Sequence, residues 1–322
     1  MTDRPVLAIT GATGFIGQAL LHAATAGDWQ PRILTRRYPR DCLMPGHTLE
    51  VVAGDLSDGS ALKDLLDGAM AIIHLAGLIK ALRPADFFAA NAGGTERLLQ
   101  VAAEVNPTAA FVHVSSLAAR EPQLSSYAAS KRAGEDKVEE LSGDRPWAII
   151  RPPAVYGPGD TATLPLFQAA RRGLLPYPAA PDARVSLIHV ADLAALLLAT
   201  AGRLADGTLP SGRLAEVDDG HAGGYGWPAM LEGLAQAAGR PVRGWRMPRP
   251  LLVLPALAND CLSRLRHRPD VFGYEKLAEL YHADWVARSS DLPLTVRWQA
   301  QFQLENGFRD TFEWYRAHSF FA

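Results

Sequence analysis

Residues 10–17, which read TGATGFIG, constrain the fold of this chain more than any other segment. They lie between a short apolar, strand-like run and a helical stretch. The spacing of Gly11, Gly14 and Gly17 permits a tight turn, close approach of backbone to a pyrophosphate, and close packing of helix on strand. The helix start adds free N–H groups and the positive end of a dipole. A phosphate-binding turn is therefore predicted, with a plain strand-to-helix turn as the alternative.

The first half of the chain alternates short apolar runs with helical stretches. Strands are predicted at 6–9, 32–35, 50–53, 71–75 and 111–114, and helices at 15–26, 60–66 and 95–105. Apolar strands separated by helices indicate a parallel sheet that is covered on both faces. Because crossovers between parallel strands are right-handed, the predicted fold class is α/β, a Rossmann doubly wound sheet.

The second half is richer in proline and glycine and has less regular periodicity. Helices are predicted at 163–172, 191–201, 227–238, 251–266 and 304–317. We therefore predict a nucleotide-binding Rossmann domain in residues 1–173. Residues 174–322 are predicted to form a smaller, mostly helical substrate-binding region, some segments of which return to the sheet.

The end of the second predicted strand bears on which dinucleotide binds. An acid at this place holds the ribose hydroxyls of NAD, whereas an arginine accepts the additional phosphate of NADP. Here Arg36 and Arg37 follow Thr35, and their planar donor forks suit a phosphate. NADP(H) is therefore favoured over NAD(H), with a solvated basic loop as the alternative. Asp55, before Leu56, could accept from the adenine amine or act as a helix N-terminal acid.

Tyr127 and Lys131 are four residues apart on a predicted helix and share one face. A nearby ammonium lowers the pKa of a phenol, which can then act as an acid or base closer to neutral pH. Ser115 and Ser116 follow the fifth strand, at the carboxyl edge where ligands bind in open α/β sheets. A serine hydroxyl there could polarise a carbonyl. The alternative for the tyrosine and lysine is an ordinary surface pair.

These motifs together resemble the extended short-chain dehydrogenase/reductase superfamily, which includes the NAD-dependent epimerase/dehydratase family. The resemblance runs from the TGATGFIG turn to Trp314-Tyr315. It implies that Ser116, Tyr127 and Lys131 are the catalytic residues. The motifs and the resemblance together also give a set of predicted cofactor-binding residues. They are Gly11, Thr13, Gly14, Phe15, Ile16, Gly17, Arg36, Arg37, Asp55, Leu56, Ala76, Gly77, Asn91, Ser115, Tyr127, Lys131, Pro153 and Val155.

Departures from the family's patterns bear on the reaction. The acidic pair of sugar dehydratases is missing after Ser116, and Arg120-Glu121 stands where sugar epimerases carry Tyr-Gly. The apolar helix from Leu251 resembles the hydroxysteroid dehydrogenase and dihydroflavonol reductase branch, which implies an apolar substrate. The main prediction is an NADP(H)-dependent enzyme that interconverts a carbonyl and an alcohol by hydride transfer.

Two other functions stay open at this point. A nucleotide-sugar epimerase with tightly bound NAD would need cationic contacts to a diphosphate. The candidates for those contacts are Arg171, Arg172, Arg184 and Arg243. A non-catalytic NADP(H)-binding assembly or sensor subunit is the third hypothesis. The intact tyrosine and lysine weigh against that third hypothesis.

Charge and composition bear on the cellular location and the binding partners that the sequence predicts. A net charge of -2 provides no global basic field for nucleic acid. Only two cysteines, Cys42 and Cys261, and no signal-like N-terminus favour a reducing, cytoplasmic setting. No transmembrane segment is predicted, because the apolar stretch 185–201 contains a carboxylate and 251–257 is too short to span. The latter segment could dock on a membrane surface or on an apolar ligand.

The remaining expectations concern metals and oligomers. His113, His189 and His221 have no zinc-like spacing, so no metal is predicted and satisfied structural histidines are expected. The resemblance to the superfamily implies a possible homodimer. The expected partner is otherwise a small-molecule substrate.

Overall fold

The computed structural model describes residues 4–36, 49–178, 180, 182–270, 272–288 and 292–321. The chain divides into two compact units. Unit 1 comprises residues 1–151, 193–216 and 290–298, and unit 2 comprises 152–192, 217–289 and 299–322.

Strands and helices alternate through most of the chain. In the first part they are β1 (Val6–Thr10), α1 (Phe15–Ala26), β2 (Gln30–Thr35), β3 (Glu50–Ala53), α2 (Gly59–Leu66), β4 (Ala71–His74), α3 (Pro84–Val105), β5 (Ala110–Val114), α4 (Ser126–Leu141) and β6 (Trp147–Arg151). Then follow β7 (Ala154–Tyr156), α5 (Leu164–Arg172), β8 (Leu174–Pro178), β9 (Arg184–Val185), β10 (Leu187–His189), α6 (Val190–Ala205) and β11 (Arg213–Glu216). The last are β12 (Tyr225–Gly226), α7 (Trp227–Ala238), β13 (Arg243–Met247), α8 (Pro250–Leu265), α9 (Tyr274–Leu280), β14 (Asp284–Trp285), α10 (Leu292–Thr295) and α11 (Leu304–Ala317).

Unit 1 is built on a seven-stranded sheet in the order β11-β6-β5-β4-β1-β2-β3. Every neighbouring pair in it is parallel. The central strands β4 and β5 are buried along their whole length, as expected for a sheet covered on both faces. The strand order reverses between β1 and β4, where α/β sheets bind ligands at the carboxyl edge. The predicted doubly wound Rossmann sheet is confirmed.

Helix α3 is longer than its sequence pattern predicts. It begins at Pro84, which suits a first helical turn, rather than at Thr95. Gly93 and Gly94 have low helix propensity, so the sequence pattern predicts a helix only after them, whereas the helix runs through both. Side chains of α3 and α2 contribute to one apolar core of unit 1 with residues such as Leu98, Leu62 and Phe111.

Unit 2 has its own apolar core. It is formed by α5, α7 and α11 together with aromatic side chains that include Tyr156, Phe167 and Phe308. Unit 2 begins at Pro152, and Pro152 and Pro153 cannot donate backbone hydrogen bonds to a sheet. Strand β11, from the second half of the sequence, lies beside β6 in the sheet of unit 1. Among the described residues, no helix is long and apolar enough to cross a membrane.

Candidate cofactor site and active site

A cleft of about 1240 Å³ opens at the carboxyl edge of the sheet in unit 1. It lies at the ends of β1, β2, β3 and β4, where the strand order reverses. Its lining is Thr10, Gly11, Thr13, Gly14, Gln18, Leu34, Thr35, Arg36, Gly54, Asp55, Leu56, Ser57, Leu75, Ala76, Gly77, Leu78, Ala90, Gly94 and Arg97. Most of the residues predicted to bind cofactor in this part of the chain therefore share one cleft.

The glycine-rich turn between β1 and α1 has no room for a side chain at Gly11 or Gly17. Gly11 has a φ of +76°, and a Cβ there would lie 2.6 Å from the backbone nitrogen of Ala76. A Cβ on Gly17 would overlap the carbonyl oxygen of Gly11. Helix α1 has neither a side-chain N-cap nor an acid in its first turn, so its first N–H groups face the cleft without a competing anion. The turn fits the pyrophosphate of a dinucleotide.

A buried chain of hydrogen bonds supports this edge of the sheet. The Thr95 hydroxyl donates to the carbonyl oxygen of Asn91 (2.7 Å), so it accepts from His74 Nε2 (3.0 Å). His74 Nδ1 then accepts from the Thr10 hydroxyl (2.6 Å), which itself accepts from the Ala76 N–H (3.3 Å). Burial and the nearby Lys131 charge lower the pKa of His74 to about 3, which keeps the ring neutral. The network ties β1, β4 and α3 together beneath the turn.

Asn91 also holds the loop that follows β4. Its side-chain oxygen accepts from the Leu78 N–H (2.7 Å), and its side-chain nitrogen donates to the Leu78 carbonyl (3.1 Å) and to Ser130 Oγ (2.8 Å). The side chain is buried. Asn91 therefore joins α4 to the loop after β4, which lines the cleft.

Charged residues collect at the end of the cleft formed by β2 and β3. Arg36 is exposed in the lining, and Arg37 lies outside the described residues. Asp55 accepts from the backbone N–H (2.8 Å) and hydroxyl of Ser57. These bonds, with a smaller contribution from Arg36, lower the pKa of its carboxyl. The N-cap of α2 is Asp58 rather than Asp55.

Arg97 is a cleft residue that the sequence analysis missed. It projects from α3, and its Nε donates to the carbonyl oxygen of Leu56 (3.0 Å). Its guanidinium therefore lines the same cleft as Arg36. No sequence signal pairs these two arginines, because only the crossover of α3 over the sheet brings them to one cleft.

The predicted catalytic residues lie on or next to α4 and β5. Lys131 is buried, and its Nζ donates to the carbonyl oxygen of Val114 (2.8 Å). Burial lowers the pKa of this ammonium to about 8. Tyr127 is half-buried one helical turn earlier, edge-on to Phe87. Ser116 is half-buried, and its Oγ accepts from the Ala118 N–H (3.2 Å), which leaves its hydroxyl proton for donation.

Ser115 has a different environment from Ser116. Its buried hydroxyl donates to Glu135 Oε1 on α4. Glu135 in turn binds Arg151 through two hydrogen bonds of 2.8 and 2.6 Å. Arg151 continues to Glu216 (3.5 Å), which also pairs with Arg120 (3.2 Å). This buried ion network joins α4 to β5, β6 and β11, and the Ser115 side chain belongs to it.

The remaining predicted site residues, Pro153 and Val155, lie in unit 2. Val155 is in β7, where it is paired with Ile188 of β10. His189 in β10 stacks on Phe302 and is also edge-on to Tyr156. Asp192 accepts from the backbone N–H groups of residues 301 and 302.

One expectation about histidines is wrong. His113 is buried beside His74, and neither of its ring nitrogens has a hydrogen-bond partner within the described part of the chain. Burial and the neighbouring Lys131 lower its pKa well below the ordinary value, so the ring is neutral. The imidazole is therefore close to His74 and Lys131 but forms no hydrogen bond within the described residues. Among the described residues, no group of histidine, cysteine or acidic side chains has the arrangement of a metal site.

Comparison with known proteins places the chain in a family. Residues 7–210 match the profile described as the NAD dependent epimerase/dehydratase family. The chain belongs to that family. It is an NAD(P)-binding oxidoreductase of the extended short-chain dehydrogenase/reductase type, as predicted. A ceramide reductase from Caulobacter vibrioides (strain NA1000 / CB15N) is 44% identical to it, and the match covers 98% of this chain and 95% of that protein.

Solved structures share the fold of this family member. MoeE5 in complex with UDP-glucose and NAD is similar with a TM-score of 0.73 at 19% identity, over 98% of this chain and 99% of that one. A human epimerase family protein with NADPH has a TM-score of 0.70 at 19% identity, over 96% and 99% of the two chains. Proteins of this fold thus bind either dinucleotide.

Proposed function

We propose that this protein uses NADPH to reduce a ketone on a long-chain, N-acylated amino alcohol, the chemical class of ceramides. The observation that carries the proposal is the 44% identity to a ceramide reductase over 98% of the chain. An amide carbonyl is too strongly stabilised to accept a hydride from a nicotinamide. The group reduced is therefore a ketone on the long-chain base, next to the carbon that bears the amide.

The preference for NADP(H) rests on the charged end of the cleft. Arg36 stands where an NAD-binding protein would carry an acid, and Arg97 lines the same cleft from α3. A 2′-phosphate between two guanidinium groups would receive charge-assisted hydrogen bonds. The exposed Asp55, which accepts from the Ser57 N–H beside them, would meet the adenine rather than the ribose.

Three side chains would carry out the chemistry at the ketone. The nicotinamide supplies the hydride. Tyr127 gives a proton to the developing alkoxide, and Ser116 donates a hydrogen bond to the same oxygen. Lys131, held by the Val114 carbonyl, would keep a positive charge one helical turn from Tyr127 and bind the nicotinamide ribose.

The structure gives less support to the sugar epimerase. Arg171 donates to the carbonyl oxygen of Phe321, and Arg184 donates to the carbonyls of Gly223 and Gly224 (both 2.9 Å). Two of the four arginines considered for a diphosphate are therefore engaged by backbone. A non-catalytic binding subunit would not need Tyr127 and Lys131 on one face of α4.

The proposal is tested by following NADPH oxidation with an N-acylated long-chain amino ketone, with UDP-glucose as the competing substrate. We expect turnover of the ketone alone. Replacing Tyr127→Phe should lower kcat by about 10² to 10⁴ with an unchanged Kd for NADPH, because only the proton donor is lost. The matched control is Tyr274→Phe, an exposed tyrosine on α9, which should have no effect. Because epimerisation consumes no NADPH, its product is measured separately by chromatography, and epimerisation of UDP-glucose without ketone reduction would overturn the proposal.

A further inference from the structure

Helix α8 in unit 2 turns its apolar side to the outside. An apolar stripe runs along it, formed by Leu251, Leu254, Ala258, Cys261, Leu262 and Leu265. Apart from the adjacent Cys261 and Leu262, successive positions are three or four residues apart, so all six share one helical face. The four leucines of the stripe are between 39% and 78% exposed. A surface helix ordinarily buries such a face.

The face of α8 opposite the apolar stripe packs against the rest of unit 2. Asn259 donates to the carbonyl oxygen of Phe272 (2.6 Å), and Asp260 accepts from the Tyr274 N–H (3.0 Å). Ala256, on the same side, is fully buried. These contacts to the segment around α9 fix the rotation of α8 about its axis, so the outward direction of the apolar stripe is specified by hydrogen bonds.

Arginines bracket the apolar stripe at both ends. Arg246 and Arg249 precede α8, Arg264 lies in its last turn, and Arg266 and Arg268 follow it. All five are exposed, and none forms an ion pair with an acid in the described part of the chain. The indole of Trp245, beside them, is 55% exposed. An apolar stripe flanked by unpaired arginines and a tryptophan complements an anionic, amphiphilic surface.

We propose that α8 docks in the plane of an anionic lipid bilayer, with the apolar stripe among the acyl chains and the arginines at the headgroups. A helix of this length spans roughly 24 Å and has charges at both ends, so it lies in the interface and does not cross. Each arginine near the surface strengthens binding to anionic lipid. The inference does not rest on the proposed function, although a bilayer is where long-chain lipids reside.

The test is sedimentation of the full chain with vesicles of phosphatidylcholine alone and of phosphatidylcholine with phosphatidylglycerol. We expect binding to the anionic vesicles that weakens with added salt. The double variant Leu254→Gln/Leu265→Gln should lower the partition coefficient by at least roughly tenfold. Arg246→Gln/Arg249→Gln should lower it by roughly fivefold per arginine on anionic vesicles and little on neutral ones.

Leu294→Gln is the matched control, because Leu294 on α10 is 82% exposed and lies outside the apolar stripe. It should leave vesicle binding unchanged. Affinity for NADPH and the melting temperature, measured on every variant, show that the fold is retained. The proposal is overturned if the chain does not bind anionic vesicles, or if the double leucine variant binds as the parent does. It is also overturned if light scattering shows a dimer that the leucine variant dissociates, because a second copy would then cover the stripe.

Discussion

The buried ion network around Glu135 allows us to predict how one substitution changes the free energy of unfolding. Glu135 is 1% exposed, and its carboxylate accepts from the Ser115 hydroxyl and from Nε and Nη2 of the Arg151 guanidinium. These bonds, together with Glu216, raise the pKa of Arg151 against the opposing effect of burial. The substitution Glu135→Gln removes the negative charge and keeps the volume, so it isolates the electrostatic contribution.

The expected cost follows from what remains around Arg151. Its next acid, Glu216, is 3.5 Å away and is shared with Arg120. Breaking a buried ion pair by removing one partner costs about 3–5 kcal/mol, because it leaves an uncompensated buried charge. The carboxamide oxygen can still accept from Ser115, so the free energy of unfolding should fall by about 3 kcal/mol. On the same helix, Glu140→Gln removes an exposed pair with Lys137 and should cost less than about 1 kcal/mol.

The measurement is urea unfolding followed by circular dichroism, extrapolated linearly to water. The double variant Glu135→Gln/Arg151→Met removes the orphaned charge together with its partner, so its cost should be smaller than the sum of the two single costs. If Glu135→Gln costs no more than Glu140→Gln, the network does not hold α4 to the sheet, and the reasoning is refuted. An additive double variant would refute the coupling between Glu135 and Arg151.

Two further predictions concern the cofactor and pH. Arg36→Ala should raise the Kd for NADPH by about 10- to 100-fold and leave the Kd for NADH nearly unchanged. Both constants are measured by fluorescence titration, with Arg132→Ala as the exposed control. Equal effects on the two cofactors would contradict the prediction. Burial lowers the pKa of His74 to about 3 and that of His189 to about 4. At a pH between these values and about 6.5, both histidines are therefore protonated in the unfolded chain and neutral in the folded chain. The free energy of unfolding should therefore fall as pH drops below 6.5, by about 1.4 kcal/mol per pH unit for each histidine, and His74→Gln should reduce that slope by one histidine's share. An unchanged slope in that variant would show that His74 is protonated in the folded chain.

The sequence predicts the sheet well where local periodicity and sheet position agree. Strands β1 to β5 and helix α1 lie within one or two residues of their predicted bounds, because each is a short apolar run beside a turn with distinctive residues. The later strands, β6 to β14, were not among the predicted strands. Several of them have only two or three residues, and their pairing depends on partners far along the chain.

The candidate site was predictable where a residue's role depends on its neighbours in sequence. The glycine turn and the spacing of Tyr127 and Lys131 are of this kind. Arg97 and the Glu135–Arg151 pair were missed because each acts across a crossover. His113 was misjudged for the same reason, since its burial against helices can be seen only when the strands are placed in order.

The position of β11 in the sheet has a consequence for how the chain acquires its structure during synthesis. Strand β6 has its partner β11 more than sixty residues later, so a nascent chain that ends before residue 213 exposes an apolar sheet edge. Ala148, Ile149 and Ile150, all fully buried in the finished molecule, would line that edge. A fragment cut at residue 173 would therefore tend to self-associate. An expression fragment that keeps the sheet intact has to run beyond Glu216.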